Sequence, residues 1–205
     1  MLSDEGFDLW ADGYDRSVSL SDEDGTYPFA GYKAVLGKIY QTIMQGGGVD
    51  ILDIGFGTGV LTLKLCNMGC NITGVDFSQR MVEIARERMP KAELILHDFT
   101  KGLPHSLSDK GFDYIVCTYA VHHLTRSEQI MLIKEMTGCL RPNGRLLIGD
   151  VAFISLAEME TCKAESGGDW DDDEVYPIVD IMKKDFPDVE FERLSFCAGV
   201  LSFSK

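Results

Sequence analysis

Three residues, Cys197 to Gly199, separate the last two alternating stretches of the chain, residues 189–196 and 200–204. A parallel pair of strands needs a crossover of about a dozen residues or more, so strands joined this closely form a hairpin and run antiparallel. Upstream the pattern differs. Short apolar runs at 49–54, 71–76, 92–96, 112–120 and 145–151 alternate with segments of helical periodicity. That alternation is the mark of a parallel sheet covered by helices on both faces. The expected fold is therefore α/β: a three-layer sandwich around a seven-stranded, mostly parallel sheet with the last strand antiparallel.

The helical segments can be placed by their apolar spacing and their ends. In residues 78–89, Met81, Val82, Ile84, Ala85 and Met89 fall on one face, Ser78 can cap the start, and Pro90 follows the end. Residues 58–68 and 126–140 read as helices, the second closed by Pro142 and a turn at Asn143-Gly144. Residues 174–186 read as a further helix with Pro177 in its first turn. The first thirty residues are polar, dotted with glycine and aromatic (Phe7, Trp10, Tyr14, Tyr27, Phe29), an extension expected to fold over the core. One domain over 1–205 results, with 1–35 as the extension and 36–205 as the core.

Composition excludes several classes of partner. The formal net charge is −14 and no Lys/Arg block occurs, so nucleic acid and anionic membrane surfaces are poor partners. No apolar run approaches the roughly 18 residues of a membrane span. The first ten residues are acidic, unlike a secretion signal or transit peptide. The six cysteines are scattered and mostly apolar in context, as free thiols packed like small hydrophobes would be. A cytoplasmic protein, monomer or homodimer, acting on a small molecule is expected.

The chemistry concentrates at "DIGFGTG", residues 53–59, where a strand ends and a helix begins. Glycines there allow a tight turn and close approach of backbone to ligand. A dinucleotide fingerprint, G-x-G-x-x-G, would need glycine where Val60 stands. A phosphate-binding G-x-x-x-x-G-K-[ST] loop is absent as well. Two carboxylates follow at strand ends. Asp76 can accept from both hydroxyls of a ribose, and Asp98 can receive an adenine amino group with Phe99 beside the ring; capping a following turn is the alternative for each.

The spacing D-x-G-x-G-x-G resembles motif I of the class I S-adenosylmethionine-dependent methyltransferases, and with it the order of strands ending in a hairpin is similar to that family's Rossmann-like sheet. "LRPNGRLLIGD" (140–150) looks like the family's segment before its fifth strand, with Asn143 where a second glycine is usual. "FDLWADGYD" (7–15) is similar to the W-A-x-x-Y-D opening of small-molecule members, and "TYAVHHLT" (118–125) resembles a subgroup of uncharacterised bacterial methyltransferases. The resemblance implies S-adenosylmethionine as cofactor. It would be held by Asp53, Gly55, Phe56, Gly57, Thr58 and Gly59, then by Asp76 with Phe77 and Asp98 with Phe99. Tyr119 and the Ala120 carbonyl would meet its methionine part, while Trp10 and Tyr14 would cover it.

His122 and His123 are the nearest candidates for a base at the methyl acceptor, if that acceptor has a proton to lose. Adjacent residues on an extended loop point opposite ways, so one histidine at most is expected to face the acceptor and no metal site is expected. "DWDDDEVYP" (169–177) reads as solvated acid ahead of a helix, with Trp170 and Tyr176 as lid candidates. Two other functions remain: a non-catalytic binder of the cofactor or its product, and an NAD-dependent oxidoreductase, the latter disfavoured by Val60 and the terminal hairpin.

Overall fold

The computed structural model describes residues 21–108 and 110–205. A helix, α1 (Tyr32–Gly46), precedes an alternation of strand and helix: β1 (Asp50–Ile54), α2 (Val60–Asn67), β2 (Asn71–Asp76), α3 (Gln79–Arg88), β3 (Glu93–Leu96) and β4 (Phe112–Thr118). There follow α4 (Arg126–Gly138), β5 (Leu140–Val151), α5 (Leu156–Ser166), the short α6 (Val179–Met182), β6 (Glu190–Arg193) and β7 (Ala198–Ser204). The seven strands form one sheet in the order β3-β2-β1-β4-β5-β7-β6. β7 is antiparallel to both β5 and β6, so it alone runs against the other six, as the short connection requires. The fold is the expected Rossmann-like α/β sandwich.

Alternation along the strands sorts the core into two layers. Ile51, Val116 and Leu147 pack on one face with Val35, Ile39 and Ile43 of α1. Leu52, Ile115, Cys117 and Ile148 face the other way, onto Leu132, Ile133 and Met136 of α4. Each such side chain, fully buried, contributes roughly 1.5–3 kcal/mol. All six cysteines are free thiols. Among the described residues, no helix is long and apolar enough to cross a membrane.

Four local expectations need correction. Helix α1 spans the supposed boundary between residues 35 and 36, so the core begins at Tyr32 or before. Helix α5 lies where no element was expected. β5 starts at Leu140, which pairs with Phe112, and it carries Pro142 to Gly144 through an irregularity in register rather than a free turn. The helix expected over 174–186 shrinks to Val179–Met182. Pro177 disfavours helical backbone at Tyr176, and residues 177–179 instead run beside Phe153, with Phe153 N donating to Pro177 O and Val179 N to Phe153 O.

The sheet order reverses between β1 and β4: the chain passes from β1 outward to β2 and β3, then returns to β4 on the other side. In open α/β sheets ligands bind in the crevice beyond the strand C-termini at such a point. β1 ends at the glycine motif and β4 ends at the histidine pair.

Candidate functional site

The glycine motif forms a turn whose shape is set by contacts at both ends. Gly55 has φ +69°, and a Cβ on it would lie 2.6 Å from the Cβ of Ala120. Glycine is thus required there for the ends of β1 and β4 to approach. Gly57 has φ +55° and no atom near its missing Cβ within 4 Å, so its bare backbone faces open space. Its N–H donates to Asp76 Oδ2 at 2.8 Å, while Ser78 N donates to Asp76 Oδ1 at 2.9 Å. Asp76 is 4% exposed and so clamps the turn to the end of β2.

Asp53, 1% exposed at the base of the motif, receives a 2.5 Å hydrogen bond from Thr62 Oγ1 on its Oδ2. Its Oδ1 is buried with no partner among the described residues. Burial raises its pKa to about 7, against the opposing bond from Thr62 and with help from the charge of Asp76. Such an orphaned acceptor is costly unless a ligand donor completes it.

At the end of β4 the backbone turns sharply. Tyr119 has φ +49°, unusual for a non-glycine residue, and its N–H donates to Gly149 O at 2.8 Å. Its ring packs against Phe29 and Tyr32, at centroid distances of 5.5 and 5.0 Å. Residues Val121–His123 then form a 3-10 turn. Successive side chains on such a turn diverge by about 120° rather than 180°. Both histidines therefore reach the same side, rings 4.1 Å apart, contrary to the expectation for an extended loop.

Three acidic groups surround the pair. His122 Nδ1–H donates to Asp150 Oδ1 at 2.6 Å, at the end of the neighbouring β5. Glu174 Oε1 lies 3.4 Å from His122 Nε2 and 4.0 Å from His123 Nδ1. Asp171 lines the same cavity. Glu174 comes from the acidic stretch read as solvated; Asp169, Asp171, Asp172 and Asp173 are indeed exposed, and Glu174 alone among these carboxylates is largely buried. Tyr176 O–H donates to Glu174 Oε2 and is hydrogen-bonded in turn to the Tyr27 hydroxyl. Buried Gln129 ties this segment to the histidine turn, its Nε2 donating to the carbonyls of Val121, Leu124 and Val175.

The charges of these groups follow from their surroundings. Burial pulls the His122 pKa down, but the charge and hydrogen bond of Asp150, with Glu174 and Asp171 behind them, outweigh it and leave it raised. His123 is pushed down to about 3 by burial and by His122 beside it. Burial lifts Glu174 above the usual carboxylate range, against the pull of His122.

One cavity of about 260 Å³ is lined both by the glycine turn and by the histidine turn. Of the described residues expected at the site, all line it except Gly59 and Asp98. Gly59 sits at the start of α2, where a Cβ would meet the Met89 side chain at 2.8 Å. Asp98 caps its own turn, accepting from Thr100 N at 3.1 Å and Thr100 Oγ1 at 2.6 Å, and pairs with Lys101 at 2.8 Å. The capping alternative prevails at that position, while Phe99 faces the cavity. Trp10 and Tyr14 lie outside the described residues. Tyr176 is 1% exposed and packs edge-on to Trp170; neither, though expected as a lid, lines the cavity. Sequence reasoning missed Tyr32, Asp171 and Glu174 as lining residues.

The profile of a family described as "Methyltransferase domain" matches residues 51–144. An uncharacterized methyltransferase of Anoxybacillus flavithermus is 36% identical over 78% of this chain and 72% of its own length. Another, from Oceanobacillus iheyensis, is 31% identical over 97% of this chain and 95% of its own. Among solved structures, the fold is similar to the DhpI–SAH complex, with TM-score 0.70, 15% identity and coverage of 96% and 91% of the two chains. It is also similar to magnesium protoporphyrin IX methyltransferase from Synechocystis with bound SAM, with TM-score 0.66, 18% identity and coverage of 100% and 98%.

Proposed function

Because the chain belongs to this methyltransferase family, we propose that it binds S-adenosylmethionine in the cavity and passes the methyl group to a small-molecule acceptor. The observation that carries the cofactor is the orphaned, buried Oδ1 of Asp53 beside a turn clamped by Asp76. Asp53 and the Ala120 carbonyl suit an ammonium group, Asp76 suits ribose hydroxyls, and Phe77 and Phe99 suit the face of a purine. The cofactor supplies an activated methyl on a sulfonium, whose displacement in line by the acceptor leaves a neutral thioether.

The chain's own part is alignment and exclusion of water. Phe29, Tyr32 and Tyr119 form an aromatic wall, and His122, His123 and Glu174 present the polar groups facing the acceptor. No Lys or Arg lines the cavity among the described residues, which disfavours phosphate-bearing ligands and nucleic acid. The free thiols suit the reducing cytoplasm.

Calorimetry with S-adenosylmethionine, S-adenosylhomocysteine and NAD tests the ligand; binding of NAD alone overturns the reading. A methyl-transfer screen over hydroxyl, thiol and amine metabolites, read by product mass, then finds the acceptor.

A further inference from the structure

We propose that His122, His123 and Glu174 hold a first-row divalent metal ion of the zinc type, on the acceptor side of the cavity. The purpose of the ion rests on the methyltransferase reading; its binding does not.

Each of the three residues offers one ligand atom, and these atoms lie within 4.8 Å of one another. Ligands of a tetrahedral zinc at about 2.0–2.1 Å are about 3.3 Å apart. The His122 Nε2 to Glu174 Oε1 separation of 3.4 Å already meets that spacing, while His123 Nδ1, 4.0 Å from the same oxygen, must draw closer when the ion binds. Two imidazoles and a carboxylate are a donor set suited to first-row ions, and three protein ligands leave a position open for substrate.

The surroundings support the same assignment. Since Asp150 can only accept, His122 carries its proton on Nδ1, and in the neutral ring the lone pair is on Nε2, toward Glu174. A carboxylate behind the distal nitrogen is the usual way a metal-bound imidazole is oriented. Asp150 is fully buried and its Oδ2 has no partner among the described residues. Glu174 is itself held by Tyr176, so two of the three ligands are fixed from behind. Asp150, Asp171 and Glu174 also bring negative charge to a wall without Lys or Arg among the described residues. A divalent cation offsets that charge.

An ion in this place favours an acceptor with a hydroxyl or thiol. Coordination lowers the pKa of such a group toward neutrality. The X–H proton leaves to bulk water, the X–CH3 bond forms as the S–CH3 bond breaks, and the electron pair stays on sulfur.

The test uses the full chain stripped with a chelator and titrated with Co2+ and then Zn2+. The expected result is one equivalent of Co2+ with the visible absorption of a four- or five-coordinate site, displaced by Zn2+. His123→Ala and Glu174→Gln are expected to abolish that spectrum, and Asp150→Asn to weaken binding by about 10–100-fold. S-adenosylmethionine affinity, measured on the same metal-free proteins, is expected to hold in the first two variants. Absence of one-equivalent binding, or binding that survives both Glu174→Gln and His123→Ala, overturns the metal site. If the cofactor binds while the metal does not, the metal inference fails alone. If the metal binds while the cofactor does not, the methyltransferase reading fails instead.

Discussion

The missing Cβ of Gly55 would stand 2.6 Å from the Cβ of Ala120, so the ends of β1 and β4 touch at the one point where the sheet order reverses. Gly55→Ala is expected to lower stability through both this clash, about 1–3 kcal/mol, and the positive φ, about 1–2 kcal/mol. Thermal melts without ligand measure it. A loss of cofactor affinity in this variant would reflect a displaced strand end, so Gly57, whose Cβ position is open, is the better probe of backbone approach to ligand.

Asp76 separates turn geometry from ligand binding. Asp76→Asn keeps one acceptor oxygen for Gly57 N or Ser78 N but loses the charge. Hydrogen bonds to charged groups contribute about 1.5–3 kcal/mol, so S-adenosylmethionine affinity is expected to fall by roughly 10–150-fold. Titration calorimetry reads this directly; unchanged affinity would remove Asp76 from the site.

The pH dependence of cofactor binding is expected to follow Asp53. Its pKa is about 7 in the folded protein, against 3.8 for an aspartate free in water. Between those values the folded chain holds a proton that the unfolded chain has released. The stabilisation this gives is complete below the unfolded value and is lost as pH rises through about 7. A cationic amino group on the ligand favours the ionised form, so binding below about pH 7 is expected to release up to one proton. Calorimetry in buffers of different ionisation enthalpy measures the release, and Asp53→Asn is expected to remove both it and the stability slope.

Gln129 is expected to matter to site and fold together. Gln129→Leu leaves the carbonyls of Val121, Leu124 and Val175 without their shared donor. Val121 O keeps the N–H of Leu124, but the other two carbonyls lose their donor. Each buried unsatisfied group costs about 1–3 kcal/mol, so a clear drop in melting temperature is expected. Since the histidine turn and the Glu174 segment then keep only the bond from Val175 N to His122 O of their backbone ties among the described residues, methyl transfer is expected to fall further than cofactor affinity does. Equal losses in both would show that Gln129 acts on stability alone.

What could be read from residues alone divides by the range of the contacts involved. The glycine motif and Asp76 were legible because their geometry is set within a strand-turn-helix unit. The hairpin was legible because chain length alone forbids the alternative. Helix α1 left a signal in Val35, Leu36, Ile39 and Ile43, yet its first turn, Tyr32 to Val35, falls in the expected extension and the rest in the expected core. Glu174 left no local signal. It reaches the histidines through the pairing of residues 177–179 with Phe153 and through Gln129, both far away in sequence. Asp98 shows the converse, a suggestive position whose carboxylate is claimed by its nearest neighbours.

The lone antiparallel strand also orders the molecule in time. As the chain leaves the ribosome, residues 50–118 bring out β1 to β4 and the whole glycine turn. β5, which carries Asp150, must wait for its second neighbour until residues 198–204 emerge, when Asp150 comes opposite Gly199. During synthesis the part of the cavity built by the glycine turn can therefore assemble first, before β7 pairs with β5 alongside Asp150.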